Sequence, residues 1–209
     1  MPNPNIATLV STASGRGPRC GRTRVILIDG PAGSGKSTLA NRLATALGGS
    51  PSAGAGTFRP DAPLESCAPV QIVHGDDLYE GWSGLATLDE VLLDQVLEPL
   101  ARGEDGAFRM WDWIEDRRSH LIQVPQRDWL LIEGVGVGLP RARELAVVTV
   151  WVEAPWDERL ARGQARDGND YDVTEKWRAF DAEEQALHGR SGTRAAADFR
   201  IDGTAPVPD

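Results

Sequence analysis

Hydrophobic and polar positions along the chain follow two alternating regimes. Short unbroken apolar runs occur at "VILI" (Val25–Ile28), at "VQIVHG" from Val70, at "DWLLIEGVG" and at "AVVTVWVEA" from Ala146. Runs of this length, bounded by glycine or polar residues, are what strands buried on both faces require. Between them the period changes. "STLANRLATAL" sets Leu39, Leu43, Ala46 and Leu47 at helical spacing, and Leu85, Leu88, Val91, Leu92, Val96 and Leu100 predict the apolar face of a second helix. The charged stretch from Trp156 to Ala186 is helix-prone, and "ADFRIDG" (Ala197–Gly203) predicts a last short strand. "AFRMWDWIEDRRSH" is less periodic and reads as loop, and Gly48 to Pro63 has turn composition without an apolar period. Met1 to Arg22, rich in Pro, Gly, Ser, Thr and Asn around one apolar patch at Ile6–Val10, predicts a poorly ordered tail. Strands alternating with helices predict an α/β fold: a three-layer sandwich, mostly parallel sheet with helices on both faces, its ligands beyond the carboxyl ends of the strands. The expected organisation is a tail over residues 1–22 and one domain over 23–209.

Composition narrows the function classes. The 209 residues allow one substantial core. A formal net charge of -9 repels a phosphate backbone at long range, so no nucleic-acid partner is expected. No apolar run approaches bilayer length and the N-terminus lacks a signal peptide's apolar core, so no membrane partner is expected and the cytoplasm is the expected location. Cys20 and Cys67 are the two cysteines, too few for a disulfide framework or a four-cysteine zinc site. His74, His120 and His188 have no metal-ligand spacing and receive no role.

The most specific motif is "GPAGSGKS", which fits G-x-x-x-x-G-K-[ST] with Gly30, Gly35, Lys36 and Ser37 in the fixed places. Glycines let successive amides turn inward toward phosphate oxygens, and the following helix adds the positive end of its dipole. Lys36 is expected at the β- and γ-phosphates and Ser37 at Mg²⁺ through its hydroxyl, with Ala32, Gly33, Ser34 and Thr38 completing the lining. A buried strand before the loop and an amphipathic helix after it supply the context the motif needs. Nucleoside triphosphate binding follows, with Mg²⁺ as the expected metal. The reaction does not follow, because hydrolases, switches and kinases share this loop.

No N-K-x-D base-reading motif of a GTPase switch occurs, and the short chain favours a small kinase. In "VQIVHGDDLYEGW" the acids Asp76 and Asp77 fall at a strand end near the phosphate loop. There a carboxylate can take a substrate hydroxyl's proton or hold the metal. Either acid could face the site. "GPAGSGKST", then "DDLY", "WDWIEDRRSH" and "LLIEG", together resemble uridine kinase and its relatives, phosphoribulokinase and pantothenate kinase, over Val25 to about Gly203. The resemblance implies Asp76 as general base, aligned with Leu78 and Tyr79 in the family's D-x-F-Y. It also implies Trp111, Asp112 and Trp113 where the family holds the nucleoside, and Glu133, between Ile132 and Gly134, as a metal-linked carboxylate beside Ser37 and Asp76. The histidine with which uridine kinases read the pyrimidine has no match, since Ile114, Glu115 and Asp116 occupy that span.

Arg159, Arg162 and Arg166 share one helix face. The resemblance implies a lid over roughly residues 157–190 whose arginines close on the phosphates and stabilise transition-state charge. The same arginines could instead pair with Asp157, Glu158 and Asp167 on a solvated face. Arg109, Arg117 and Arg118 flank the acceptor segment and could bind an anionic group or pair with Glu115 and Asp116. Asp77, Tyr79, Trp82 and Trp177 join the expected acceptor cleft, where flat rings can stack on a sugar or base.

The reading is a kinase that moves the γ-phosphate of ATP, the donor the resemblance implies, to a hydroxyl of an unidentified small molecule. Two alternatives stand beside it: a cytidylate-type nucleoside monophosphate kinase, whose opening "IDGPAGSGKST" resembles, Asp29 included, and a nucleotide-binding regulatory protein with little turnover. Oligomeric state is open, a homodimer included.

Overall fold

The computed structural model describes residues 2–57, 68–168 and 171–209. The later part of the expected 48–63 excursion, and Cys67, lie outside the described residues. Five strands, β1 (Arg24–Asp29), β2 (Val70–His74), β5 (Trp129–Glu133), β6 (Ala146–Glu153) and β7 (Phe199–Asp202), form one sheet in the order β2-β5-β1-β6-β7. Every neighbouring pair is parallel. The four apolar runs and "ADFRIDG" are thus the strands of the sheet.

Side chains of β1 alternate between two cores. Val25 and Leu27 point into one, with Leu130 and Ile132 of β5, and Ile26 and Ile28 into the other, with Leu131, Val148 and Val150. A strand with both faces covered must be apolar at every position, which is why "VILI" shows no alternation. The second core is roofed by α2 (Lys36–Ala46) through Leu39, Ala40, Leu43 and Ala44. The first is covered by a long helical rod: α3 (Leu88–Glu90), a π-helical segment (Val91–Leu97) and α4 (Glu98–Ala101). All six apolar positions expected on one helix are buried, five on that rod and Leu85 on the 3-10 turn before it (Gly81–Thr87), and the face widens to Leu93 and Leu97. The short helix α5 (Pro140–Leu145) precedes β6, while α6 (Trp156–Asp167), α7 (Tyr171–Ser191) and α8 (Thr193–Ala196) lie between β6 and β7.

Two expectations are corrected. The 1–22 segment is not a loose tail: α1 (Ile6–Ser14) starts at an Asn5 cap whose Oδ1 accepts from Thr8 N–H at 2.8 Å, and it buries Ile6, Leu9 and Ala13 in the second core. Burying an Ile or Leu side chain contributes about 1.5–3 kcal/mol, enough to hold a short capped helix that polar composition alone would leave open. Asn3 locks this segment to the chain's other end, donating to Asp202 O (2.9 Å) and accepting from Asp202 N–H (2.7 Å). The second correction concerns "AFRMWDWIEDRRSH". It forms an antiparallel hairpin, β3 (Gly106–Asp112) with β4 (Arg117–Val124), separate from the main sheet. Phe108 and Met110 face the core while Arg109 is exposed, a period of two obscured by the tryptophans and charges that follow.

Candidate active site

The phosphate loop joins β1 to α2 beyond the carboxyl end of the sheet. Gly30 has φ +141° and lies so close to the Val152 backbone that a side chain would collide with it, and Gly33 (φ +76°) would set a Cβ 2.7 Å from Arg159 O. Only glycine meets both demands. Lys36 folds back and donates from Nζ to Pro31 O at 2.8 Å, and the Ser34 hydroxyl is buried with no partner among the described residues. Asp29, fully buried, accepts from the amides of Gly30 (2.6 Å), Gly136 (2.7 Å) and Gly138 (3.0 Å), so it fixes the loop that follows β5.

Three carboxylates, Glu133, Asp76 and Asp77, gather at this end of the sheet. Glu133, the last residue of β5, accepts from Ser37 Oγ at 3.0 Å on Oε1, and His74 Nδ1 approaches the same oxygen to 2.6 Å. Burial pushes the Glu133 carboxyl up, but the His74 hydrogen bond and charge, the Lys36 charge and the Ser37 bond outweigh it and hold Glu133 below its ordinary range. Burial pushes His74 down, and Glu133 with Asp77 and Asp76 more than reverses that. Asp76 is half-buried just past β2, and Tyr79 donates its hydroxyl to Asp76 Oδ1 at 2.7 Å. Asp77 is buried, accepts from Gly56 N–H at 2.7 Å, and is pushed up to about 6, mainly by burial. The two adjacent acids are thus divided: Asp77 holds a loop, and Asp76 keeps the more open position.

Next to Asp76, Tyr79, Trp82, Trp113, Trp177 and Phe180 interlock, with ring centroids 5.7–6.3 Å apart. Trp113 Nε1 donates to Asp76 O at 2.9 Å, tying the hairpin to the acid. Trp111 is buried on β3, with the Arg118 guanidinium 5.8 Å from its ring centre. Other expected acceptor residues are occupied elsewhere. Asp112 Oδ1 accepts from the amides of Ile114 and Glu115, both at 3.0 Å, closing the hairpin turn, and those bonds lower its pKa. Exposed Arg109 donates to Ser119 O across the hairpin, and exposed Arg117 faces Glu115 at 3.9 Å. The hairpin's own geometry claims these three side chains, and the structure does not bring them to Asp76.

The three α6 arginines also separate. Arg159 is buried, bridging Asp181 (2.6 Å) and Glu184 (2.7 Å) of α7 and donating to Ala32 O (3.2 Å). Glu184 in turn accepts from Ala32 N–H at 2.8 Å. Arg159 thus braces the phosphate loop from behind, contrary to its expected place among phosphate-closing groups. Arg162 donates to Gly33 O and Gly203 O, each at 3.0 Å, joining the loop to the turn after β7. Arg166 is the open one: it pairs with Asp167 at 2.6 Å, and it feels the charge of Asp76. Sequence reasoning missed His74, Asp181 and Glu184. The histidine carried a signal, since it ends a predicted buried strand two residues before Asp76; the two acids lay in a charged helix with nothing local to distinguish them.

Hard oxygen donors suit Mg²⁺, which kinases hold through one or two carboxylates and substrate phosphates. Ser37 Oγ, Glu133 and Asp76 fit that donor type, although among the described residues no cluster of three His, Cys, Asp or Glu side chains is placed to hold a metal alone.

No protein-family model and no curated protein matches the chain. Solved structures do. A possible uridine kinase from Bacillus stearothermophilus superposes with a TM-score of 0.60 at 21% identity, covering 94% of this chain and 97% of that one. The two share the α/β fold, a parallel sheet with helices on both faces. A protein provisionally described as a fructose transport system kinase, from Silicibacter sp. TM1040, gives 0.59 at 20% identity, covering 95% and 97%. The YGR205w protein gives 0.51 at 14%, covering 95% and 92%. In this α/β fold the glycine loop and the Asp76 turn lie together beyond the carboxyl ends of parallel strands, where open α/β sheets bind ligands. Among the described residues no helix is long and apolar enough to cross a membrane.

Proposed function

We propose that this protein is an ATP- and Mg²⁺-dependent kinase that transfers the γ-phosphate to a hydroxyl of a small molecule. The observation that carries the reading is the Ser37–Glu133 pair, a hydroxyl at the start of α2 bonded at 3.0 Å to a strand-end carboxylate, with half-buried Asp76 on the neighbouring turn. Bound Mg²⁺ would supply neutralisation of charge between the β- and γ-phosphate oxygens, held from the protein side by Ser37 and Glu133. Lys36, released from Pro31 O, reaches the same phosphates. Asp76, oriented by the Tyr79 hydroxyl, accepts the acceptor's proton as its oxygen attacks. Arg166 is the α6 side chain free to meet the charge that spreads over the transferring group. The aromatic cluster forms an apolar flank beside the base, suited to the face of a sugar or ring-bearing acceptor.

Release of ADP from Mg-ATP, measured against a panel of nucleosides, sugars, hydroxylated metabolites and nucleoside monophosphates, tests this. A hydroxyl acceptor should stimulate turnover, and Asp76→Asn should cut the stimulated rate by about 10²–10⁴-fold, the usual contribution of a general base. Turnover confined to monophosphates and indifferent to Asp76 would overturn the assignment in favour of a nucleotide kinase.

A further inference from the structure

His74 ends β2, is 5% exposed, and reaches in opposite directions with its two ring nitrogens. Nδ1 lies 2.6 Å from Glu133 Oε1, the oxygen that also accepts from Ser37. Nε2 lies 2.7 Å from Ser52 Oγ, and that oxygen accepts from Gly54 N–H at 3.1 Å. Ser52 is anchored to α2 by a reciprocal pair of bonds with Asn41: Asn41 Nδ2 to Ser52 O at 3.0 Å, and Ser52 N–H to Asn41 Oδ1 at 2.8 Å. Gly56 N–H then donates to Asp77 Oδ1. The segment 52–56 is therefore laid over the end of β2 by bonds to His74 and Asp77, the two side chains on either side of Gly75 and Asp76.

We propose that His74 is a positioning residue that joins two parts of the site: one nitrogen fixes the Glu133 carboxylate toward Ser37, and the other seats the 52–56 segment beside Asp76. A carboxylate on a strand end has two free side-chain torsions before its terminal rotation, and a buried ring held on both sides removes that freedom on one oxygen. Because one rigid ring makes both contacts, ordering of Glu133 at the nucleotide side and ordering of 52–56 at the acceptor side favour each other, and the coupling is reciprocal. The inference rests on the kinase reading for what Glu133 does. The bonds themselves do not.

The test needs no acceptor. ADP affinity is measured by calorimetry with and without Mn²⁺, and amide hydrogen exchange of 52–56 is followed in the free protein and with Mn-ADP. Wild type, His74→Leu, His74→Asn and Ser52→Ala are compared, with thermal midpoints and metal-free ADP affinity as folding controls. Asn retains a donor near the Nδ1 position but cannot reach Ser52. In wild type, Mn²⁺ should tighten ADP binding and Mn-ADP should slow exchange in 52–56. His74→Leu should lose about 10–100-fold of the Mn²⁺-dependent tightening, the usual cost of losing such a supporting partner. His74→Asn should keep that tightening within about threefold on the same scale. Both His74→Asn and Ser52→Ala should abolish the slowing of exchange. Normal tightening in His74→Leu, or Mn-ADP protection of 52–56 that survives Ser52→Ala and His74→Asn, would overturn the proposal while leaving the kinase reading intact. Absence of Mn²⁺-dependent ADP binding in the wild type would instead overturn that reading, and this inference with it.

Discussion

Arg159, Arg162 and Arg166 occupy one helical stripe, yet their surroundings give them different work. The Arg159 guanidinium is 7% exposed and bonded to two carboxylates, of which Glu184 is itself 1% exposed. Removing it takes the guanidinium donor from Asp181 and from the buried oxygens of Glu184, and breaking a buried pair of this kind costs about 3–5 kcal/mol. Arg166 is 63% exposed and pairs with its sequence neighbour, an interaction of about 0–1 kcal/mol. Arg159→Ala should therefore lower unfolding free energy by several kcal/mol, whereas Arg166→Ala should leave it within about 1 kcal/mol and reduce acceptor-stimulated turnover at least tenfold, to roughly the extent expected for a lost charge-stabilising donor. Denaturant titration and steady-state rates on both variants check the contrast. Equal stability losses would mean that the burial difference has no energetic meaning.

At the scale of elements, the site depends on how α6 lies between the phosphate loop and α7. Gly163 faces the Trp177 ring so closely that an added Cβ would run into it. Helix propensity favours alanine over glycine by about 1 kcal/mol, while forcing a methyl into a packed contact costs about 1–3 kcal/mol. Because Trp177 is buried at 1% exposure and braced by Trp82, packing should win. Gly163→Ala should lower the thermal midpoint and raise the KM for ATP, since α6 carries the arginines that contact Gly33 and Ala32. A raised midpoint would show that the ring moves aside. These close approaches are also what the sequence could not show. The strand, glycine loop and helix from Val25 to Ala46 were legible because their determinants are contiguous: an apolar run, Gly30 and Gly35, and an apolar stripe. The hairpin was not, because half of β4 faces solvent and the tryptophans mask the alternation of Phe108 and Met110. Helix α1 was hidden for a related reason, since its stability comes from burial against α2 and β6. In the candidate site, Ser37 could be read from the glycine-loop motif, and Asp76 and Glu133 from strand ends with the family resemblance, whereas the links Ala32–Glu184 and Ser52–His74 join residues 152 and 22 positions apart, with no local pattern to announce them.

Across the whole molecule, the ion network behind the phosphate loop makes stability depend on pH in a specific direction. Burial pushes Glu184 up to about 7 from its ordinary 4.5, against the opposing pull of the Ala32 amide, Lys36 and Arg159; Asp181 adds to the upward push. A carboxyl whose folded pKa exceeds its unfolded value binds protons more readily in the native state. Its contribution is fully present below the unfolded pKa and is lost as pH rises through the folded one. Stability should therefore decline between about pH 4.5 and about pH 7, by up to about 3 kcal/mol from this group. The net charge of -9 adds a general self-repulsion over the same range, so the informative quantity is the difference between wild type and Glu184→Gln. Glutamine keeps an acceptor for the Ala32 amide and cannot ionise. Urea unfolding at intervals from pH 5 to pH 8 should show a shallower decline in the variant, so that the variant gains on the wild type as pH increases. Parallel curves would place the proton elsewhere and leave Glu184 ionised throughout, its charge balanced by Arg159.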